Sequence, residues 1–225
     1  MKMIYLLPNI FTLGNIFFGF FSMISSIEGA FVRAAYVIIV AGFFDVFDGK
    51  VARATNSTSR FGVEFDSLAD LVSFGIAPAI LVYLWALQPA ERVGWLGAFL
   101  FVVCGALRLA RFNVLVDVVS SDRFIGLPIP CAAGMVASTV ILMENFPNAP
   151  ELRERWLPLI TAMVYGLAVL MVSNIQYRST KKMTMKGKNP FGIMVIAALF
   201  LIVVALNPEI SFFVIGITYI AFGLI

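Results

Sequence analysis

Apolar runs of bilayer length fill almost all of this 225-residue chain, and that alone removes most folds from consideration. Apolar residue types make up 61% of it, and its mean hydropathy is +0.97. A helix needs roughly 20 apolar residues to cross the hydrocarbon of a bilayer, and only helices and closed barrels satisfy their backbone groups there. Runs broken by Pro, Gly and charge predict about eight spans. They are Asn9–Ser26, Phe31–Arg53, Arg60–Leu87, Val93–Phe112, Ile129–Met143, Leu157–Tyr177, Pro190–Leu206 and Ile210–Ile225. The fifth and the last two are short, so a six-span reading stays open. The expected fold class is all-α, a polytopic transmembrane helical bundle with residues 1–225 forming one domain. No internal repeat or low-complexity tract divides the chain, and Met1–Leu7 leads into Pro8 without a cleavage signal.

Charge orients the spans. With the N-terminus cytoplasmic, only Arg33, Arg92, Arg153 and Arg155 fall outside, and the other twelve of the sixteen basic residues fall inside. That bias predicts both termini cytoplasmic, as six spans would also have it. Trp85, Trp95 and Trp156 fall at outer span ends, where an interfacial aromatic belt is expected. The net charge of +3 is therefore topology plus attraction to anionic membrane lipids, concentrated in the basic loop from Arg178 to Lys188, and not a nucleic-acid footprint. Cys104 and Cys131 lie in apolar context with no disulfide or zinc spacing, and read as packing residues.

Against this background four aspartates stand out: Asp45, Asp48, Asp66 and Asp70. A carboxylate near the bilayer centre costs ~2.5–3.5 kcal/mol on insertion scales, so four unpaired ones would approach ~10 kcal/mol. Asp45 and Asp48 are spaced i, i+3, and Asp66 and Asp70 i, i+4, so each pair shares one helix face. Counted from Arg53 and Arg60 at ~1.5 Å per residue, they lie ~8–15 Å below the cytoplasmic surface. The two helices are expected as antiparallel neighbours, which lets all four carboxylates meet. The chain has no histidine, so the available ligands are hard oxygens suited to Mg2+, Mn2+ or Ca2+. Salt bridging to Lys50, Arg53 or Arg60 is the competing use. Gly49, Ala52 and Gly62 beside the acids allow close approach of a flat ligand, or of a second helix backbone.

Asp48-Gly49, two residues, Ala52-Arg53, eight residues, Gly62, three residues, Asp66, three residues, Asp70 resembles the signature of the CDP-alcohol phosphotransferases, with Asp45 as their leading aspartate. The resemblance implies a membrane helical bundle, usually a homodimer, that displaces CMP from a CDP-linked donor with an alcohol. It further implies Mg2+ or Mn2+, two ions, held by Asp45, Asp48, Asp66 and Asp70, with Asp70 the catalytic base. Gly49, Ala52, Arg53 and Gly62 then lie on the donor side. A second set of segments, Leu7–Asn15, Ser59–Pro78, Arg108–Asn113 and Phe124–Pro130, is similar to the branch that makes phosphatidylserine from CDP-diacylglycerol and L-serine. That similarity covers about the first 140 residues.

Physics bears on this second layer. Arg108 and Arg111 share a helix face at a cytoplasmic end, and Arg reads carboxylates and phosphates bidentately. Serine has a carboxylate that glycerol, inositol and choline lack. Snorkelling anchorage is the other use of these arginines. Asn113 either orients the acceptor or caps its helix. Asn9, Thr12 and Asn15 either face the nucleotide or hydrogen-bond between helices. Within the family, phosphatidylglycerophosphate synthesis and an ether-lipid serine product are the alternatives. Outside it, a divalent-cation transporter is the remote one, disfavoured because the outer halves of the spans are nearly free of acids.

Overall fold

The computed structural model describes residues 6–54, 59–115, 123–178 and 206–224, with 202 and 204. The first hairpin joins α1 (Leu6–Ile27) to α2 (Phe31–Ala54). Gly29, at φ +77°, allows the tight reversal, and its amide and that of Ala30 return to Ser26 and Ser25 carbonyls. Small residues let the two backbones close up: Ser22 Oγ donates to the Ala34 carbonyl at 2.9 Å, and Ser22, Ser25, Ala34 and Ala35 are all buried.

The second hairpin is a continuous helical passage with two wide turns. Ser59 caps α3 (Arg60–Asp70), its Oγ accepting from the Gly62 amide at 3.0 Å. A π-helical stretch, Leu71–Ile76, follows directly, then α4 (Ala77–Val82), a second π-helical stretch Tyr83–Leu87 and a 3-10 turn Gln88–Ala90. The chain reverses at Glu91, a non-glycine residue at φ 45°, and runs back as α5 (Glu91–Leu115). Gly94 is required at this reversal, since a Cβ there would lie 2.1 Å from the Leu87 carbonyl oxygen.

The third hairpin joins α6 (Ile129–Glu144) to α7 (Ala149–Val172), and α8 (Pro208–Leu224) packs on α6. α6 supplies the centre of the bundle, with Ala132, Ala133, Val136 and Val140 at or near zero exposure. A short antiparallel ladder, β1 (Arg123–Ile125) with β2 (Gln176–Arg178), ties the entrance of α6 to the exit of α7. The outer surface carries Phe17, Phe20, Leu68, Val114 and Phe222, each more than half exposed, as a lipid-facing surface requires.

The bundle matches the all-α expectation except for that ladder. Among the described residues, three helical runs are long and apolar enough to cross a membrane: Asn9–Ile27, Arg60–Val114, which covers both arms of the second hairpin, and Ala149–Val172. α2 has the length, but carries Arg33, Asp45, Asp48 and Lys50. The expected sixth span, Leu157–Tyr177, instead starts at Ala149 and stops at Val172, where Ser173 turns extended and the chain enters β2. The expected span Pro190–Leu206, apart from 202, 204 and 206, and most of the basic loop fall outside the described residues. Trp85 differs from its expected place in an aromatic belt. It is buried, and its Nε1 donates to Glu144 Oε1 at 2.7 Å, while Arg153 reaches both Glu144 and the Trp85 carbonyl. Trp95 and Trp156 are about half exposed, as belt residues would be.

Candidate active site

α2 and α3 both pack on α1, and their facing sides bring the acids together. Asp45 faces Asp70 and Asp48 faces Asp66, the register expected of two antiparallel helices. Asp45, Asp48 and Asp66 each offer an oxygen within 4.8 Å of the others. Asp70 adjoins this group through Asp45. Asp48 is 4% exposed, and Asp66 Oδ1 is buried without a hydrogen-bond partner. A buried carboxylate oxygen with nothing to accept from is costly, and three converging hard oxygens form the donor set that a divalent cation takes. The residues therefore fit such an ion.

α1 closes one side of the cluster. Thr12 Oγ1 donates to Asp48 Oδ2 at 3.2 Å, and Asn15 Nδ2 donates to Asp70 Oδ1 at 3.3 Å. Asn9 lies a turn nearer the α3 start, with its Oδ1 3.8 Å from where a Cβ on Gly62 would stand. Gly62 is thus in close quarters: the same Cβ would be 3.2 Å from the capping Ser59 Oγ. Gly49 is half-buried on α2 beside Asp48. The side chains of Ala52 and Arg53 lie outside the described residues.

α5 closes the opposite side. Arg108 is 9% exposed, its guanidinium facing Asp45 and Asp70 and resting 5.8 Å from the Phe112 ring centroid. Cys131 of α6 and Tyr219 of α8 stand on its other side. The structure separates the two arginines that the i, i+3 spacing placed together. Arg111 turns to the end of α7, donating to Asn174 Oδ1 at 2.7 Å and to the Val172 carbonyl. Asn113 bridges α5 to α3, its Nδ2 donating to Ser67 Oγ at 3.0 Å and Glu64 Oε2 at 3.4 Å. Glu64 is exposed and points away from the four aspartates, as its two-residue offset from Asp66 predicts.

One helical turn beyond the acids, an apolar cavity of about 310 Å3 opens between α2, the first π-helical stretch, α6 and α8. Gly42, Phe74, Cys131, Gly134 and Tyr219 are among its walls. Gly42 stands three residues before Asp45, and Phe74 four after Asp70. The site thus pairs a carboxylate cluster with an apolar recess, flanked by one buried arginine.

Sequence reading left the partners of Asn15 unassigned and did not single out Tyr219. The first had a signal: Asn9, Thr12 and Asn15 recur every three residues along one side of α1. The second had none, since an aromatic in an apolar helix is ordinary.

Comparison with known proteins adds independent findings. Residues 5–172 match the family model described as CDP-alcohol phosphatidyltransferase. A CDP-diacylglycerol–serine O-phosphatidyltransferase of Helicobacter pylori is 37% identical over 222 residues, covering 99% of this chain and 91% of that protein. One from Bacillus subtilis is 36% identical over 177 residues, covering 78% of this chain and 92% of that protein. An archaetidylserine synthase of Methanothermobacter thermautotrophicus is 38% identical over 173 residues, covering 76% and 69% respectively.

Proposed function

We infer the reaction from one premise: the chain belongs to the CDP-alcohol phosphatidyltransferase family. The reaction we propose transfers the phosphatidyl group of CDP-diacylglycerol to L-serine, giving phosphatidylserine and CMP. The observation that carries it is the buried Arg108 set against Asp45 and Asp70. A guanidinium there can take the carboxylate of an amino-acid acceptor while the acceptor's hydroxyl meets Asp70. The serine-transferring names of its relatives support the same acceptor.

Asp45, Asp48, Asp66 and Asp70 would hold Mg2+ or Mn2+, two ions by the family pattern. When bound, such ions neutralise the diphosphate and stabilise the departing CMP. The remaining steps belong to the chain. Asp70 accepts the serine hydroxyl proton. The serine oxygen forms its bond to the phosphorus that bears the diacylglycerol, and the bond from that phosphorus to the CMP oxygen breaks. Arg108 orients the acceptor through its carboxylate. Asn113 braces the α5 end that carries Arg108 against α3, and Arg111 fixes the same end to α7. Asn9, Thr12, Gly49 and Gly62 line the donor's nucleotide side, to which the family pattern also assigns Ala52 and Arg53; small residues there admit the cytidine, and Thr12 holds Asp48 in place. The apolar cavity beside Gly42 and Phe74 suits the lipid part of the donor.

This chemistry sets the location. CDP and serine are water-soluble and the acyl chains are not, so the whole chain works as one integral membrane unit with its site at the cytoplasmic face of the cell membrane. A homodimer follows from the family pattern. The similarity to an archaetidylserine synthase favours a second reading in the donor alone, an ether-linked lipid with the same serine acceptor. The test is transfer of label. Purified chain given CDP-diacylglycerol, Mn2+ and labelled L-serine should yield labelled organic-soluble lipid. Label that stays wholly aqueous would refute the reading.

A further inference from the structure

Asn15 holds a position the mechanism has not used. It is fully buried on α1, and its Nδ2 donates to Asp70 Oδ1 at 3.3 Å. An ionised carboxylate only accepts, so the amide nitrogen is the end that faces it. The other end of the same amide, Oδ1, is buried and has no hydrogen-bond partner. A buried carbonyl in that state is costly unless something donates to it during the working cycle.

The surroundings hold this oxygen in place. Ser73, itself fully buried, donates its Oγ to the Asn15 backbone carbonyl at 2.9 Å. One turn further along α1, a Cβ on Gly19 would lie 2.2 Å from Ser73 Oγ and 2.7 Å from its Cα, so the two backbones approach closely there. α1 is thereby clamped to the π-helical stretch that begins one residue after Asp70. Wide turns of this kind concentrate at functional sites. The clamp fixes the Asn15 amide against Asp70, and its unpaired oxygen with it.

We propose that Asn15 is a specificity-determining residue that holds Asp70 through Nδ2 and, through Oδ1, accepts a hydrogen bond from the ammonium of an amino-alcohol acceptor. This rests on the serine reading above. In serine the hydroxyl and the ammonium sit on adjacent carbons. In the site, the carboxylate of Asp70 and the amide of Asn15 are also in contact. A hydroxyl placed on Asp70 therefore leaves its vicinal ammonium beside the Asn15 carbonyl. A second hydroxyl could donate there too, but an ammonium also brings a charge that Asp45 and Asp70 favour. Arg108 faces the same aspartates, so the two polar arms of serine, carboxylate and ammonium, each have a partner.

The experiment uses the full chain with CDP-diacylglycerol and Mn2+, reading serine-dependent CMP release and its inhibition by two serine analogues. L-Alanine keeps the ammonium and carboxylate and lacks the hydroxyl. 3-Hydroxypropionate keeps the hydroxyl and carboxylate and lacks the ammonium. In Asn15→Leu the serine KM and the L-alanine Ki should rise together, about tenfold or more, with 3-hydroxypropionate inhibition changed by less than about twofold. The kcat should fall as well, because Asp70 loses its holder. Equal rises for both analogues, or no rise for L-alanine, overturn the proposal. A change confined to the KM for CDP-diacylglycerol, or to the half-saturating Mn2+ concentration, assigns the oxygen to the nucleotide or to metal-bound water and also overturns it. If Asn15→Leu does not fold, Asn15→Ser, too short to reach, carries the same comparison. A wild-type chain that releases no CMP with serine would sink the serine reading itself. Serine turnover with an unmoved inhibitor ratio in the variants would sink only the role of Asn15.

Discussion

If Arg108 reads the acceptor as proposed, replacing it should perturb serine more directly than any other single change. Its guanidinium is 9% exposed and faces the carboxylates of Asp45 and Asp70, so little water competes for it. Truncating one partner of a buried, hydrogen-bonded charge pair, here the pair Arg108 would form with the serine carboxylate, costs ~2–5 kcal/mol. At ~1.4 kcal/mol per tenfold, Arg108→Ala should lower kcat/KM for L-serine about thirtyfold to a few thousandfold. Arg108→Lys keeps a charge near Asp45 and Asp70 but loses the planar fork, so serine should recover only in part. The assay is steady-state CMP release in lipid nanodiscs, with L-serine and ethanolamine as alternative acceptors. Ethanolamine has the hydroxyl and ammonium but no carboxylate, so its turnover should be slower than that of serine in the wild type and should change far less in the variants. Equal losses for both acceptors would refute the reasoning. They would mean that Arg108 serves to balance Asp45 and Asp70 and does not read the acceptor.

Other consequences follow from the same geometry. Chelation should abolish turnover and added Mg2+ or Mn2+ should restore it, and Asp48→Asn or Asp66→Asn should weaken Mn2+ binding measured by calorimetry. Metal-independent turnover would contradict both. Gly19→Val drives a side chain into Ser73, including its backbone, and should cost ~1–3 kcal/mol or more. It would be read as a lower melting midpoint in detergent, accompanied by loss of activity. Trp85→Phe leaves Glu144 without the 2.7 Å indole donor and should cost ~1–3 kcal/mol of stability. Because Trp85 lies at the end of the bundle away from the aspartates, its kinetics with serine should stay near wild type. A cysteine placed at Asn148, exposed just before α7, should react with an impermeant probe from outside the cell. Labelling from the cytoplasm alone would reverse the orientation drawn from the basic residues.

What could be read from sequence was whatever depends on spacing within one helix. The i, i+3 and i, i+4 pairs placed Asp45 with Asp48 and Asp66 with Asp70, and a short connection made α2 and α3 antiparallel. The mutual approach of the three clustered acids followed. What could not be read depends on contacts between distant segments. Trp85 looked interfacial because Glu144 and Arg153, which bury it, come from helices whose placement spacing does not encode. Arg108 and Arg111 share a face by count, yet the end of α7 draws Arg111 aside. The π-helical stretch after Asp70 arises where Gly19 lets α1 press on Ser73, a close approach that no local propensity announces. The β1–β2 ladder joins residues more than fifty positions apart, Arg123 with Arg178 and Ile125 with Gln176, in loops whose composition gives no strand pattern.

The central claim, an amino-acid acceptor on a CDP-linked lipid donor, meets its most direct test in acceptor-dependent CMP release. Purified chain with CDP-diacylglycerol and Mn2+ would be given L-serine, glycerol 3-phosphate or inositol in parallel. The account predicts release that depends on L-serine, with glycerol 3-phosphate and inositol near the no-acceptor background. Release driven by glycerol 3-phosphate or inositol, with none from serine, would contradict it.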